Sequence, residues 1–404
     1  MSQFRRNLHV KILVYLKAEI LKVDRVSYFY YICSRKKLIL IAMNRPWTRK
    51  LLITSVILSL FTTVSHAQFD DVDFLRSAPS DGAKFLQAYI APWTNAFGAG
   101  LSSGWYNTAK PHKLGGFDIT TSINVGMIPT SDDQFDVSKI GLSSSLAATG
   151  MTSTISGPSE SGPVMSYKAG SYTLASFNAP QGTGWKYIPV PVAQVGIGLP
   201  LGTEIKGRFI PKISIKDGDI SLWGVGLMHS ITQYLPGDKL LPFDVSVFGG
   251  YTKLESNVPL GLSPDMSIPQ NYTSPFNTSG AFDDQNLNVT VKGLNLSAIA
   301  SFNLPVVTFY GGLGYSKTKT TMKITGNFPT PVLVTPALPQ VPYAEYNNSG
   351  VKTATDFPEI DIENFSGLRA NIGIRLKFAV ITIHADYTRA QYNIVSTGLG
   401  ISFR

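Results

Sequence analysis

Two residues that could carry acid–base chemistry stand close together near the C-terminal end of the sequence. His384 and Asp386 are two positions apart on the polar side of an alternating stretch. With a serine such as Ser366 or Ser396 they could imitate the Ser-His-Asp arrangement of an esterase. A His and an Asp at this spacing more often belong to a hydrogen-bond network inside a barrel. We therefore expect no enzyme activity, and we keep a hydrolase as the weakest of three alternatives.

The remaining histidines do not group as metal ligands. His112, His229 and His384 lie far apart in the sequence and lack the spacing of a zinc site. The only cysteine, Cys33, precedes a candidate leader, so the chain that follows has no thiolate ligand and no disulfide. The sequence thus predicts no metal and no cofactor.

A set of charged residues occupies the polar positions of several alternating stretches. Burying such a set in a dry core would cost several kcal/mol for each unpaired ion, whereas exposure to a wet lumen costs little. We therefore predict that these residues line the lumen of a barrel. They are Glu204, Lys206, Arg208, Arg369, Arg375, His384 and Asp386.

Alternating strands position these residues. From 367 to 378, 380 to 389 and 395 to 403, apolar residues take one set of alternate positions, and polar residues or glycine take the other. Side chains of a strand point to opposite faces in turn, so each stretch predicts a strand with one apolar and one polar face. Three such strands with short connections predict an antiparallel meander. The alternation alone fits a soluble sheet and a membrane barrel equally well.

The lengths of the connections favour the membrane barrel. The connections at 200–202, 303–305 and 378–379 are short, whereas 257–286 and 325–363 are long, polar and rich in Pro, Asn, Ser and Thr. Short turns at one end and long loops at the other are typical of outer-membrane barrels. The predicted fold class is all-β, a transmembrane antiparallel β-barrel of about 12–14 strands with a short N-terminal helix. The segment 135–184 could hold two of these strands.

Local patterns add two expectations. Apolar residues at helical spacing predict a helix over 80–93, lying either inside a barrel mouth or on the barrel rim, with strands from residue 95 onward. In the long strand 287–302 the apolar set shifts from odd to even positions near Gly293, which predicts a β-bulge there.

The N-terminal part of the sequence predicts export. Basic residues, an apolar run from Leu51 to Val64 and the small-residue site Ser65-His66-Ala67 predict a signal peptide over 43–67. We expect the preceding 1–42 to be a mis-annotated extension, 68–94 to be a helical segment and 95–404 to be the barrel. Residues 1–67 hold 12 of the 35 basic residues and 2 of the 26 acidic residues. The rest of the chain keeps 23 basic and 24 acidic residues, so its net charge is −1, whereas that of the full chain is +9. The basic excess therefore does not indicate a nucleic-acid partner.

Three stretches carry a family resemblance: Asp81–Tyr106, Leu222–Ser230 and Phe248–Lys253. In these stretches the chain resembles a family of Gram-negative outer-membrane β-barrel proteins with a domain of unknown function. Its layout, a helix before a barrel with long loops, is also similar to the FadL-like long-chain fatty-acid transporters. Neither resemblance carries a motif of assigned chemistry, and fold does not fix function.

The leading functional hypothesis is a passive or gated outer-membrane transporter or channel for a small solute, with a hydrophobic molecule as candidate. The alternative is a structural or surface-interaction barrel whose outer loops bind a partner. An apolar pocket that opens laterally or to the periplasm would favour transport, and a lumen sealed by side chains would favour the alternative. The expected partner in both cases is outer-membrane lipid, with no nucleic acid, and the sequence leaves the oligomeric state open.

Overall fold

The alternating stretches of the sequence form strands, and most of them join into one sheet. The computed structural model describes residues 79–215, 218–236, 242–337 and 340–403. The expected extension 1–42 and signal peptide 43–67 lie outside the described residues, as does 68–78. Among the residues described, no helix is long and apolar enough to cross a bilayer.

The described chain contains one α-helix and 18 strands. The helix α1 covers Pro79–Leu101. The strands in chain order are β1 (Phe117–Met127), β2 (Gln134–Asp136), β3 (Leu146–Ala147), β4 (Met151–Ser153), β5 (Val164–Ala169), β6 (Tyr172–Asn178), β7 (Tyr187–Leu199), β8 (Thr203–Ile215), β9 (Gly218–Ser230), β10 (Phe243–Pro259), β11 (Gln270–Asn271), β12 (Asn286–Asn303), β13 (Val307–Thr325), β14 (Val332–Val334), β15 (Tyr343–Asn347), β16 (Ile360–Phe378), β17 (Ile381–Arg389) and β18 (Asn393–Phe403).

Ten of these strands close into an antiparallel barrel: β1, β7, β8, β9, β10, β12, β13, β16, β17 and β18. Each pairs with its neighbours in this order, and β1 pairs with β18, from Phe117 opposite Phe403 to Met127 opposite Asn393. The all-β barrel with an N-terminal helix is confirmed, whereas the expected count of 12–14 strands is wrong. The strands predicted within 135–184 pair with one another outside the barrel, as the small sheets β2–β4 and β3–β5–β6.

The two ends of the barrel differ in their connections. The turn end holds the short connections 200–202, 304–306 and 379–380, together with the start of β1 and the end of β18. The loop end holds the long connections 128–186, 260–285 and 326–359, which carry the short strands β2–β6, β11, β14 and β15. This is the asymmetry that the sequence predicts, apart from the short connection 390–392 at the loop end and the longer connection 231–242 at the turn end.

The apolar sets face outward near the turn end. Ile372 and Leu313 expose 72% and 70% of their surface, whereas Arg369 and Arg375 are buried on the inward face. On β12 the outward apolar residues run from Leu294 to Phe302, a span that fits the about 9–11 residues with which a tilted strand crosses a bilayer. A band of this kind has to be covered by lipid, so the chain is a transmembrane barrel of the outer-membrane type.

Nearer the loop end the pattern is reversed. On β12 and β13, Leu287, Val291, Met322 and Ile324 face inward and are buried, while the outward positions are polar. We call the part of the barrel with apolar inward residues the loop half, and the part with apolar outward residues the turn half. The reversal explains the shift of the apolar set on β12.

The predicted bulge at Gly293 is wrong. The pairing of β12 with both of its neighbours is regular from end to end. A register shift lies instead between β13 and β16, at Thr318 to Thr320. The apolar set on β12 changes sides because the surroundings of the strand change along its length, while its geometry stays regular.

Candidate functional site in the barrel lumen

The helix α1 fills the loop half of the lumen. The apolar stripe predicted from the sequence is buried in one cluster with inward residues of the barrel and with loop residues. It consists of Phe85, Leu86, Tyr89 and Ile90. The barrel and loop members of that cluster include Val137, Leu146, Ile155, Met165, Leu287, Met322, Ile324, Ile360 and Ile362. Of the two predicted places for the helix, the structure therefore has it inside the barrel mouth.

The helix is longer than predicted, because it continues past Pro92 to Leu101. Proline removes one backbone donor and commonly ends a helix in water. Here Ala96, Ala99 and Leu101 pack against inward residues of β7 such as Val190 and Val192, and this packing keeps the last turns helical. The expectation of a strand from residue 95 is wrong for this reason.

The start of the helix is joined to the loops. The carboxylate of Asp81 accepts hydrogen bonds from the backbone N–H and the hydroxyl of Ser143, the former at 2.9 Å. The carbonyl of Tyr89 accepts from the N–H of Ile155 at 2.9 Å. The chain thus enters the barrel at the loop end and runs toward the turn end, where β1 begins.

The helix ends where the inward face of the barrel changes from apolar to polar. From here residues 102–116, the lumen segment, pass through the turn half without regular structure. Backbone groups of such a segment have no partners of their own, and at membrane depth they need partners from the surrounding protein. The barrel wall supplies them.

Two arginines from different walls hold the beginning of the lumen segment. Arg208 on β8 donates to the carbonyls of Leu101 at 2.8 Å and Ser103 at 2.7 Å. Arg369 on β16 donates to the carbonyl of Ser102 at 3.0 Å and to the hydroxyl of Ser103 at 3.1 Å. The side-chain amides of Asn295, Asn124 and Gln194 donate to the carbonyls of Ser102, Ser103 and Trp105. The segment is therefore tied to β1, β7, β8, β12 and β16.

Trp105 and Tyr106 fill the width of the lumen. The guanidinium of Arg208 lies 3.6 Å from the centre of the Trp105 ring, which offsets part of the cost of burying its charge. A Cβ atom at Gly226 or Gly250 would lie within 3.0 Å of the Trp105 ring, so these inward glycines leave the space that it occupies. Tyr106 donates its hydroxyl to Asn371 at 2.8 Å.

A charged cluster closes the turn end. Glu204 accepts from the backbone N–H of His112 at 2.8 Å, lies 2.9 Å from His112 Nδ1, and is bonded to the ammonium of Lys206. Nε2 of His112 lies 3.1 Å from the hydroxyl of Ser402 on β18. The end of the lumen segment is thus connected to both β8 and the last strand.

This cluster has the composition of a metal site but already contains a cation. Ligand atoms of His112, Asp118 and Glu204 lie within 4.8 Å of one another. The Lys206 ammonium is bonded to Glu204 and lies 4.0 Å from Asp118, so it supplies the positive charge that a metal ion would bring. The fold, and not the spacing in the sequence, brings His112 to Glu204, so spacing alone could not predict this cluster.

The structure places all seven predicted lumen residues on the inward face, where they are buried. Glu204 and Lys206 meet in the cluster at the turn end, and Arg208 and Arg369 meet at Ser103. Arg375 is directly opposite His384 in the pairing of β16 with β17. Asp386 accepts from the hydroxyl of Tyr310 at 3.0 Å. Glu204, Arg208 and Arg369 contact the packed lumen segment, whereas the prediction was that these residues face water.

The esterase constellation is not assembled among the described residues. Ser366 is exposed on the outward face and is bonded to the Tyr315 hydroxyl. Ser396 Oγ and His384 Nδ1 are buried without a hydrogen-bond partner. The stretch 100–104, Gly-Leu-Ser-Ser-Gly, has the spacing of a nucleophile elbow, but it follows a helix instead of linking a strand to one.

A family model with the description "Family of unknown function (DUF6588)" matches residues 48–403. The chain belongs to this family. The resemblance to an outer-membrane family of unknown function is thereby confirmed. No curated protein matches the sequence of this DUF6588 member.

Several solved outer-membrane barrels are similar to this DUF6588 member. The translocator domain of the autotransporter NalP from Neisseria meningitidis has a TM-score of 0.27 and 11% identity, covering 81% of this chain and 99% of that one. The outer membrane protease OmpT from Escherichia coli has a TM-score of 0.30 and 8% identity, and the match covers 71% of this chain and 97% of that one. The toluene transporter TbuX from Ralstonia pickettii has a TM-score of 0.20 and 8% identity, and the match covers 72% of this chain and 90% of that one. These proteins differ in activity, and none assigns a function to this one.

Proposed function

We propose that this protein is a closed outer-membrane barrel that presents a folded loop domain at the cell surface and acts by interaction there. The observation that carries this proposal is the lumen segment. Its carbonyls at Ser102 and Ser103 accept hydrogen bonds from Arg208, Arg369 and Asn295. A lumen sealed in this way supports the surface-interaction alternative of the sequence analysis over an open channel.

The loop end supports the same proposal. The loops 128–186, 260–285 and 326–359 carry their own small sheets and share an apolar cluster with α1. An ordered set of loops with its own apolar cluster suits binding of a partner better than the lining of a solute path.

A gated transporter is the second candidate, favoured by one observation. The polar inward residues of the turn half bond to the backbone of the lumen segment as well as to one another, so displacement of the segment would leave a passage lined by polar side chains. A solute that releases Arg208 and Arg369 from the segment could then cross. Transport in this form requires that residues 102–116 move.

A disulfide lock tests whether the segment moves. A Cβ atom at Gly293 would lie 3.7 Å from Cβ of Ser102, within the range of about 3.5–4.5 Å for a disulfide. The double variant Ser102→Cys/Gly293→Cys, made in a chain that starts at residue 68 and has no other cysteine, should therefore cross-link the segment to β12 on oxidation. We expect no stable conductance in planar bilayers from the wild type or from either redox form of the variant.

A gated transporter would behave differently in the same recordings. The wild type and the reduced variant would show discrete openings, and oxidation of the variant would abolish them. The single variants Ser102→Cys and Gly293→Cys serve as controls for the effect of substitution without a cross-link. Openings that disappear only on cross-linking would overturn the proposal of a closed barrel.

A further inference from the structure

A row of lysines crosses the outward face of the barrel where its two halves meet. Lys253 on β10 is directly opposite Lys292 on β12, and Lys292 is directly opposite Lys319 on β13. Lys317 lies two residues nearer the turn end on β13, on the same face. Directly opposed side chains in an antiparallel pair have Cβ atoms about 4.5–5.5 Å apart. Four ammonium groups therefore share one small patch.

Neighbouring side chains give the height of this patch relative to the membrane. Trp223 is directly opposite Lys253, and its ring lies 5.6 Å from that of Tyr251 on the same outward face. Aromatic side chains of this kind form the girdles of outer-membrane barrels at the boundary between hydrocarbon and headgroups. Toward the turn end the face becomes apolar, with Leu296 and Leu313 exposed. The lysines thus lie at the level of the lipid headgroups.

Carboxylates of the protein pair with the two outer lysines of the row. Glu255 pairs with Lys253 at 2.7 Å and Asp361 pairs with Lys319 at 2.8 Å, at the two sides of the row. Between them, Lys292 makes no ion pair with any residue whose side chain the structure describes. Like charges directly opposite each other destabilise a sheet, so an anion over the centre of the row would be bound favourably.

We propose that Lys253, Lys292, Lys317 and Lys319 bind the phosphates of a lipid in the outer leaflet, the phosphorylated glycolipid of the Gram-negative outer membrane. Its headgroup phosphates contact the ammonium groups at the height of Trp223. Its acyl chains lie along the apolar surface that includes Leu296 and Leu313. The hydroxyl of Thr290, which faces outward opposite Thr321, is placed to contact the sugar part of the headgroup, while the hydroxyl of Thr321 donates to Asp361 at 2.8 Å.

Native mass spectrometry of the detergent-purified barrel, titrated with bisphosphorylated lipid A, tests this proposal. The loss of one basic side chain near an anionic lipid lowers the affinity for that lipid about fivefold. The double variant Lys292→Gln/Lys319→Gln should therefore bind about 25-fold more weakly, and Lys292→Arg/Lys319→Arg should keep its affinity. Lys323→Gln, on the same strand and face but nearer the loop end, is the matched control and should bind like the wild type.

Two further probes separate the lipid from other sources of phosphate. Dephosphorylated lipid A should bind the wild type as weakly as bisphosphorylated lipid A binds the double Gln variant. Inorganic phosphate at millimolar concentration should not displace the lipid. Equal binding of phosphorylated and dephosphorylated lipid, equal loss in Lys323→Gln, or full displacement by inorganic phosphate would each overturn the proposal. A shift in electrophoretic mobility on heating shows that each variant is folded.

Discussion

The outward face of β13 changes character along the strand. Near the turn end Leu313 exposes 70% of its surface, while nearer the loop end the outward positions hold Lys317, Lys319 and Lys323. The inward face changes in the opposite sense, from the buried Ser316 and Thr318 to the buried Met322 and Ile324. The first part of the strand therefore has apolar residues outside and polar residues inside, as in a membrane barrel. Its second part has polar residues outside and apolar residues inside, as in a soluble protein.

The conformation of the N-terminal segment follows the same boundary. A helix satisfies its own backbone hydrogen bonds, so its exterior can be apolar, and α1 lies in the loop half among apolar side chains. The carbonyls of the lumen segment have no helical partners, and the segment lies in the turn half, where Arg208, Arg369 and Asn295 donate to them. The change of lining along the lumen thus determines where the helix ends.

The largest effect is expected from breaking the charged cluster of the turn half. Glu204→Leu leaves the buried Lys206 with only the more distant carboxylate of Asp118, at 4.0 Å, and removes the acceptor of His112. We expect the free energy of unfolding in detergent to fall by about 3–5 kcal/mol in a urea titration. Glu359→Leu, which removes an exposed ion pair with Lys323 in the loop half, should cost about 0–1 kcal/mol. Equal losses would contradict the contrast between the halves.

A lysine scan of one face measures the boundary itself. Leu313→Lys places a charge in the lipid-facing band and should lower the free energy of unfolding in bilayers by about 2–4 kcal/mol, whereas Thr321→Lys on the same face should cost about 0–1 kcal/mol. The measurement is reversible urea unfolding in lipid vesicles, followed by tryptophan fluorescence. A similar cost at both positions would mean that the loop half also lies in hydrocarbon.

The fit of α1 in the lumen is tested at a close backbone approach. A Cβ atom at Gly126 would lie 2.3 Å from the carbonyl oxygen of Ala96, so Gly126→Ala has to displace the helix. We expect a loss of about 1–3 kcal/mol, as for other overpacked interiors, measured by urea unfolding. Gly207→Ala, whose Cβ would meet nothing within 4 Å, is the control and should change stability by less than about 0.5 kcal/mol.

The smallest effect concerns one hydrogen bond between the lumen segment and the wall. Tyr106→Phe removes the bond to Asn371 and should cost about 0.5–1.5 kcal/mol. Tyr315→Phe, on the outward face, should have no measurable effect because water and lipid headgroups are available to Ser366. The same unfolding assay compares the two. A larger loss in Tyr315→Phe would place the more important contacts outside the lumen.

Much of the wall could be predicted from the sequence, because alternation is a local property. The strands β16, β17 and β18 and the polar positions Arg369, Arg375 and His384 follow from which residues alternate. The asymmetry of the connections follows from their composition. The interpretation of β12 as bulged is wrong, because two causes give the same shift of apolar residues from odd to even positions. One is a β-bulge, and the other is a change of the apolar side from outward to inward along a regular strand.

The contents of the lumen could not be predicted, because they depend on contacts between distant parts of the chain. Arg369 bonds to Ser102, and His112 to Ser402, across most of the sequence. The sequence predicts a strand from residue 95 onward, whereas packing around Ala96 and Ala99 keeps residues 95–101 helical. A clue was present in Trp105 and Tyr106, large aromatics in a stretch of poor strand pattern, which need a cavity to fill.

The pairing of Phe117 with Phe403 has a consequence for the assembly of the molecule. The sheet cannot close until its last strand has been made, since that strand seals the seam against the first. Residues 79–116 precede the first strand and run the length of the interior, so they are made before any strand of the barrel. Contacts this distant in sequence make closure slow, and the open sheet exposes two unpaired edges while it waits. The N-terminal segment thus provides a template around which the growing sheet can wrap.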